Sequence, residues 1–207
     1  MIKKILLILL FVILGLAGFV WYKFSTDKSG GFEGEQAKKL EIKSATPLFD
    51  GGIKAMLTAY FQMKDAFVEA DTLTVKTSCK AMVHIIEGIN LEELKKDTSG
   101  LITTIEPLLT DVKTNAISVL AQTDIQEMRM DFNQVNQQLY ALLKAINYKG
   151  EKMYWQNCPM AFGESREGNW ISNTEEIVNP YLGKNHPEHK DNMLHCGSIK
   201  DTIKAQN

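Results

Sequence analysis

Two clusters of sulfur-bearing side chains stand at opposite ends of the C-terminal stretch of the chain. The first cluster contains Cys158 and Met160, and the second contains Met193 and Cys196. Thiolates and thioethers are soft donors, and they prefer Cu(I) and similar soft ions to hard ones. The four side chains therefore predict a site for Cu(I) or a similar soft ion with two thiolates and two thioethers.

A disulfide between Cys158 and Cys196 is the alternative interpretation, and both interpretations remain open on the sequence. In an oxidising compartment the bond would close a loop of about 38 residues and contribute about 3–4 kcal/mol in the chain-entropy description. A reduced pair binds an ion, whereas an oxidised pair does not. The third cysteine, Cys79, lies at a helical core position, which indicates a small buried hydrophobic residue.

Histidines near the second cluster are weaker candidate ligands. His195 could replace one of the sulfur ligands, and the pair His186 and His189 has a spacing seen in Cu(II) and Zn(II) sites. Lysines flank that pair at positions 184 and 190, which favours an exposed turn.

Composition and motifs narrow the class of function. The chain has 207 residues, enough for one domain with appendages, and a net charge of −2, which gives no long-range attraction for nucleic acid. There is no nucleophile elbow, no phosphate-binding glycine loop and no HExxH zinc motif. We therefore predict a binding protein and not an enzyme.

The N-terminus predicts export from the cytoplasm. Lys3 and Lys4 precede an uninterrupted apolar run, residues 5–22, of about 18 residues, near the minimum length for a membrane-spanning helix. Residues 1–24 are therefore predicted to be a transmembrane anchor, with a cleaved signal sequence as the alternative. Residues 25–47 are polar and glycine-containing, which is typical of a flexible linker. We expect an inner-membrane protein whose C-terminal domain lies in the periplasm, or a secreted periplasmic form after cleavage.

Residues 48–149 show the 3.6-residue periodicity of amphipathic helices in four successive segments. Thr123 followed by Gln126 resembles a capping box at the start of the fourth segment. Short polar turns between the segments predict an all-α fold, an up-down four-helix bundle. The predicted core positions are Ile53, Met56, Tyr60, Met63, Phe67, Val75, Cys79, Met82, Val83, Ile86, Leu101, Ile105, Leu108, Val112, Ala116, Val119, Ile125, Met128, Phe132, Val135, Leu139, Leu142 and Ile146.

After residue 149 the periodicity stops. Residues 150–207 contain several glycines and prolines, which interrupt long helices and strands. We predict an irregular lobe that a cross-link, a ligand or aromatic packing holds against the bundle.

The same residues carry a resemblance to a known family. The residues concerned are Arg129, Phe132, Tyr154, Cys158, Pro159, Met160, Ala161, Gly168, Trp170, Ile171, Ser172, Ile177, Asn179, Pro180, Tyr181, Met193, Leu194, Cys196 and Gly197. Their pattern closely resembles the signature of a bacterial domain-of-unknown-function family that is common in Bacteroidota. Some of its members are fused to periplasmic adaptor subunits of heavy-metal efflux pumps. The resemblance implies a helical bundle, copper or silver handling outside the cytoplasm, and efflux adaptor components as partners.

Overall fold

A computed structural model of the chain describes residues 47–92, 94–96 and 100–203. All of them belong to one compact unit, Leu40–Asn207. The predicted anchor and most of the predicted linker lie outside the described residues. Within the described ranges, none of the helices combines the length and the apolar character needed to cross a bilayer.

Four long helices make up the first part of the described chain, which confirms the four helices predicted from periodicity. A 3₁₀ turn, Leu94–Lys96, lies between the second and the third. The helices are α1, Pro47–Glu69; α2, Thr72–Glu87; α3, Leu101–Ala121; and α4, Ile125–Ala145.

The helices bury the apolar stripe that the sequence predicts. Most of the predicted core positions are buried, but Val83, Leu108 and Ile125 are only partly covered, and Leu109 is buried in place of Leu108. Phe132 of α4 joins the helices through its ring, which stacks on Tyr60 and packs against Phe67 of α1 at centroid distances of 5.7 and 4.6 Å. The bundle core is thus continuous from α1 to α4.

Aspartates begin two of the helices. The carboxylate of Asp71 accepts hydrogen bonds from the first free N–H groups of α2, and that of Asp124 does the same for α4. The prediction of Thr123 as the capping residue was therefore wrong by one position. Pro107 lies inside α3, beyond its first turn.

The C-terminal lobe contains a small sheet, so the prediction of an all-α fold with an irregular lobe was wrong for this region. The strands are β1, Met153–Cys158; β2, Gly168–Ser172; and β3, Ser198–Ile203. They form an antiparallel sheet in the order β2-β1-β3. Both β1 and β2 are buried along their whole length and therefore lack the apolar–polar alternation that would identify a strand.

A bulge interrupts β3, one of the two edge strands of this sheet. Trp155 pairs with Asp201 and Gln156 pairs with Ile199, so Lys200 is an extra residue in β3. β3 lies at the edge of the sheet opposite β2, and its first half is exposed.

Candidate functional site

The sheet brings the two remote cysteines together. Cys158 ends β1, and because Asn157 pairs with Ser198, the residues just before β3 pass beside it. The Sγ atoms of Cys158 and Cys196 lie 2.8 Å apart. Both cysteines are free thiols in this structure. The juxtaposition satisfies the geometric requirement that the metal and disulfide interpretations share.

The two thiols differ in their surroundings. Cys158 is fully buried, whereas Cys196 is partly exposed. Burial, together with the adjacent Cys158 thiol, raises the pKa of Cys196 to about 12. Because the thiolate is the metal ligand and the nucleophile, binding of an ion must displace the proton of Cys196. Because Cys196 is the more exposed of the two, an ion or reagent would reach the pair from the side of Cys196.

The two methionines lie close to the cysteines along the chain. Met160 follows β1 in a turn and is 40% exposed. Met193 is partly buried against the core, and its carbonyl accepts the N–H of Cys196 at 3.0 Å, so a tight turn separates them. Among the described residues there is no cluster of three or more His, Cys, Asp or Glu side chains suited to a metal ion.

The histidines have other contacts. Nδ1 of His195 lies 2.7 Å from the carbonyl of Ile177. The rings of His186 and His189 stack at a centroid distance of 4.8 Å. Nδ1 of His186 accepts the N–H groups of Glu188 and His189, both at 3.3 Å. This nitrogen therefore stabilises its own turn.

Asn179 connects the cysteine segment to the rest of the lobe, a role that the sequence did not predict. Its Oδ1 accepts the N–H groups of Tyr181 and Leu182 at 2.8 and 3.1 Å. Its Nδ2 donates to the carbonyl of Cys196 at 2.9 Å, and its own N–H donates to the carbonyl of Leu194 at 2.8 Å. The side chain is fully buried. An Asn-Pro pair signals a turn of this kind, but the sequence does not show which remote carbonyl the amide reaches.

Arg129 holds the same segment on the bundle. From the buried face of α4, its guanidinium donates to the carbonyl of Pro180 and to that of Phe67 near the end of α1, both at 3.1 Å. Burial lowers the pKa of Arg129 to about 10, and the side chain remains a cation at neutral pH. Gly183, with φ of +58°, packs against this corner, and a Cβ there would lie 2.6 Å from the carbonyl oxygen of Val68.

A buried hydrogen-bond network joins β2 to the bundle. The hydroxyl of Tyr60 donates to Asn136 and accepts the N–H of Ile171 at 2.9 Å. The hydroxyl of Tyr181 donates to the carbonyl of Asn169 and accepts from Nδ2 of Asn136 at 3.2 Å. Burial raises the pKa of both tyrosines. Both are therefore neutral hydrogen-bonding groups.

Aromatic rings fill the space next to the cysteines. Trp170 is fully buried and meets the ring of Tyr181 edge to face at 6.0 Å. Gly168 pairs with Cys158 across the strands, and a Cβ at Gly168 would lie 2.7 Å from the Tyr181 ring. The ring of Tyr181 also lies 6.0 Å from that of Phe132, so it packs the lobe against α4.

The site therefore belongs to a helical-bundle protein with a small β-lobe that carries a paired dithiol. Residues 56–151 match the profile of a family described as "Protein of unknown function (DUF3347)". The match supports the predicted resemblance to a domain-of-unknown-function family. It begins inside α1, covers the other three helices and ends before the cysteine pair. No curated protein and no solved structure showed significant similarity to the chain.

Proposed function

We propose that the protein binds a soft metal ion, Cu(I) or Ag(I), outside the cytoplasm, with Cys158 and Cys196 as its principal ligands. The observation that supports this proposal is the 2.8 Å contact between the two thiols, which come from sequence positions 38 residues apart. Two soft sulfur donors in one place match the ligand preference of these ions. Met160 and Met193 would complete the ligand set, with the three histidines as weaker candidates.

The donor set discriminates between metals. Structural zinc sites use four Cys or His ligands in a tetrahedron, and the described residues offer no cluster of three suitable side chains. Two thiolates with neighbouring thioethers suit a soft monovalent ion instead. With metal–sulfur bonds of about 2.3 Å, as in zinc thiolates, the two sulfurs must move apart from their present contact distance to admit an ion.

The biological role follows from this chemistry as part of the proposal. The protein would sequester the ion in the cell envelope or transfer it to an efflux system. The predicted anchor would hold it at the inner membrane, and efflux adaptor components would be its partners. The resemblance of the C-terminal residues to a family with efflux-adaptor fusions supports this role. Cu(I) or Ag(I) itself is the cargo.

The test is a titration of the reduced full-length protein with Ag(I) or Cu(I) in competition with a chelator. The double variant Cys158→Ser/Cys196→Ser should bind more than about 100-fold more weakly, because even changes outside the ligand shell cost 10–100-fold. Cys79→Ser is the matched control: its thiol is buried and donates to the carbonyl of Ala116 at 3.0 Å, away from the pair. Unchanged affinity in the double variant would exclude the proposed site. Affinity should also fall as the pH falls, because binding displaces thiol protons.

A second candidate is an interaction module that binds no metal and is joined by a Cys158–Cys196 disulfide. The close approach of the two sulfurs favours it, because their separation is shorter than an ion between them would impose. Trp170 and Tyr181 would then serve packing or contact with a partner. The mass of protein purified without reductant, compared with its mass after reduction, distinguishes the candidates. A disulfide that forms even in the presence of a soft metal ion supports the interaction module.

A further inference from the structure

Asn179 is the side chain that most directly fixes the position of Cys196. Cys196 precedes β3 and is not part of a strand, so sheet pairing alone does not fix its backbone. The amide Nδ2 of Asn179 donates to the carbonyl of Cys196 at 2.9 Å, and the main-chain N–H of Asn179 donates to Leu194 at 2.8 Å. Two hydrogen bonds from one residue therefore hold the loop on either side of His195.

The asparagine is itself held rigidly. Its Oδ1 accepts two N–H groups, from Tyr181 and Leu182, and its carbonyl accepts the N–H of Gly183 at 2.9 Å. The guanidinium of Arg129 holds the next residue, Pro180, to α4. Rotation of the amide would break several buried hydrogen bonds, each costly to leave unmade. Asn179 thus fixes the position of Cys196 relative to the bundle.

We propose that Asn179 is a positioning residue that holds the Cys196 thiol against the Cys158 thiol. It touches neither sulfur in a ligand role and acts through the backbone of Cys196. The proposal rests on the proposed function only where metal affinity is the measurement. The proximity of the two thiols can be measured without any metal.

The proximity of the two thiols is measured directly as the effective concentration of one thiol with respect to the other. In a glutathione redox buffer, the protein dithiol and oxidised glutathione exchange to give the protein disulfide and two reduced glutathione molecules. One S–S bond breaks and one forms, and two electrons and two protons pass to glutathione. The equilibrium constant reports how closely the folded protein holds its two thiols. The full-length protein is used, and the fractions of reduced and oxidised protein are determined by mass spectrometry after acid quenching.

Asn179→Asp replaces the donating Nδ2 with a carboxylate oxygen that cannot donate to the Cys196 carbonyl, while the other oxygen can still accept from Tyr181 and Leu182. We expect the effective concentration to fall about tenfold, the size of one buried hydrogen bond. Asn179→Ser is a second variant in case a buried carboxylate prevents folding, because a hydroxyl still forms the turn but does not reach Cys196. Far-UV circular dichroism at the assay temperature verifies that each variant is folded.

Asn185→Asp is the matched control. Asn185 lies in the same segment, and its Nδ2 also donates to a backbone carbonyl, but that carbonyl belongs to Glu69 at the end of α1, at 3.0 Å, and not to the cysteine loop. This variant should keep the wild-type thiol equilibrium. Folded Asn179 variants with an unchanged equilibrium would overturn the positioning role, as would an equal fall in the Asn185 control.

Metal titration separates this proposal from the one on which it partly rests. If the serine double variant loses soft-metal binding and the Asn179 variants weaken it about tenfold, both proposals are supported. If the double variant binds as tightly as the wild type, the metal site is excluded, and the thiol equilibrium still decides the role of Asn179.

Discussion

The interior of the bundle and the junction between the bundle and the lobe are built in different ways. The bundle buries apolar side chains on helical faces, and it is tied together by rings such as Phe132. The junction buries hydrogen-bonding groups, including Arg129, Asn136 and Tyr181. Apolar burial stabilises without regard to direction, whereas a buried polar group is favourable only with its partner in place. Apolar burial therefore stabilises the bundle, whereas the paired polar groups of the junction fix one orientation of the lobe.

The loss of a contact therefore has different consequences for stability in the two regions. A lost apolar contact leaves a cavity that neighbours can partly fill. A lost junction partner leaves a buried carbonyl or cation with no partner, and the surrounding structure cannot compensate. We expect bundle substitutions to lower the stability of the whole domain and junction substitutions to release the lobe from the helices first.

The largest expected effect is in the bundle. Phe132→Ala removes a fully buried ring that touches Tyr60, Phe67 and Tyr181, and it should lower the free energy of unfolding by about 4 kcal/mol. Urea denaturation followed by circular dichroism measures this change. Met130→Ala, two residues along the same helix and 42% exposed, is the control and should change stability by less than about 0.5 kcal/mol. Similar losses in both variants would contradict the core position of Phe132.

At the junction, Arg129→Leu should lower the free energy of unfolding by about 3 kcal/mol. It removes a charged donor from the carbonyls of Phe67 and Pro180, and hydrogen bonds to charged groups are worth about 1.5–3 kcal/mol each. Tryptophan fluorescence from the lobe should change at lower urea than the helical signal. Arg166→Leu is the control, because Arg166 is exposed. Coincident transitions by both probes in the Arg129 variant would show that the junction does not unfold separately.

The smallest effect is expected at the exposed border of the lobe. Asp201 of β3 accepts hydrogen bonds from Tyr140 at 2.5 Å and from Lys144 at 3.0 Å. The Tyr140 hydroxyl is the main cause of the lowered pKa of Asp201, and the hydrogen bond from Lys144 adds to it. The folded state thus favours the carboxylate. Its contribution is present above the unfolded pKa near 3.9 and is lost as the pH falls through the lower folded pKa.

Asp201→Asn should accordingly cost at most about 1 kcal/mol at pH 7, since the ion pair with Lys144 is partly exposed to solvent. The difference between variant and wild type should shrink as the pH is lowered through the folded pKa of Asp201, because the wild-type carboxyl is then protonated as well. Urea midpoints at several pH values measure this. A pH-independent difference would mean that charge is not the origin of the effect.

The helices could be predicted from the sequence because their signal is local. Positions three and four residues apart share a face, so Ile53, Tyr60 and Phe67 identify the buried side of α1 without knowledge of any partner. The capping error at Thr123 is of the same local kind: both Thr123 and Asp124 have side chains that can cap.

The lobe could not be predicted in this way because its information is non-local. The residues of β1 are buried along the entire strand, and only its partners, residues 168–172 and 198–203, make it a strand. Arg129 finds its acceptors 51 and 62 positions away in the sequence. The sulfur clusters could be singled out by residue type, but their 2.8 Å contact depends on the sheet and on Asn179.

The extra residue in β3 has a consequence for how the protein behaves among its own copies. An edge strand offers unpaired main-chain groups on which a strand from another molecule can grow. Lys200 breaks the regular spacing of those groups and adds a positive charge. At high local concentration the small sheet therefore stays limited to its three strands, and molecules that meet edge to edge separate again instead of joining.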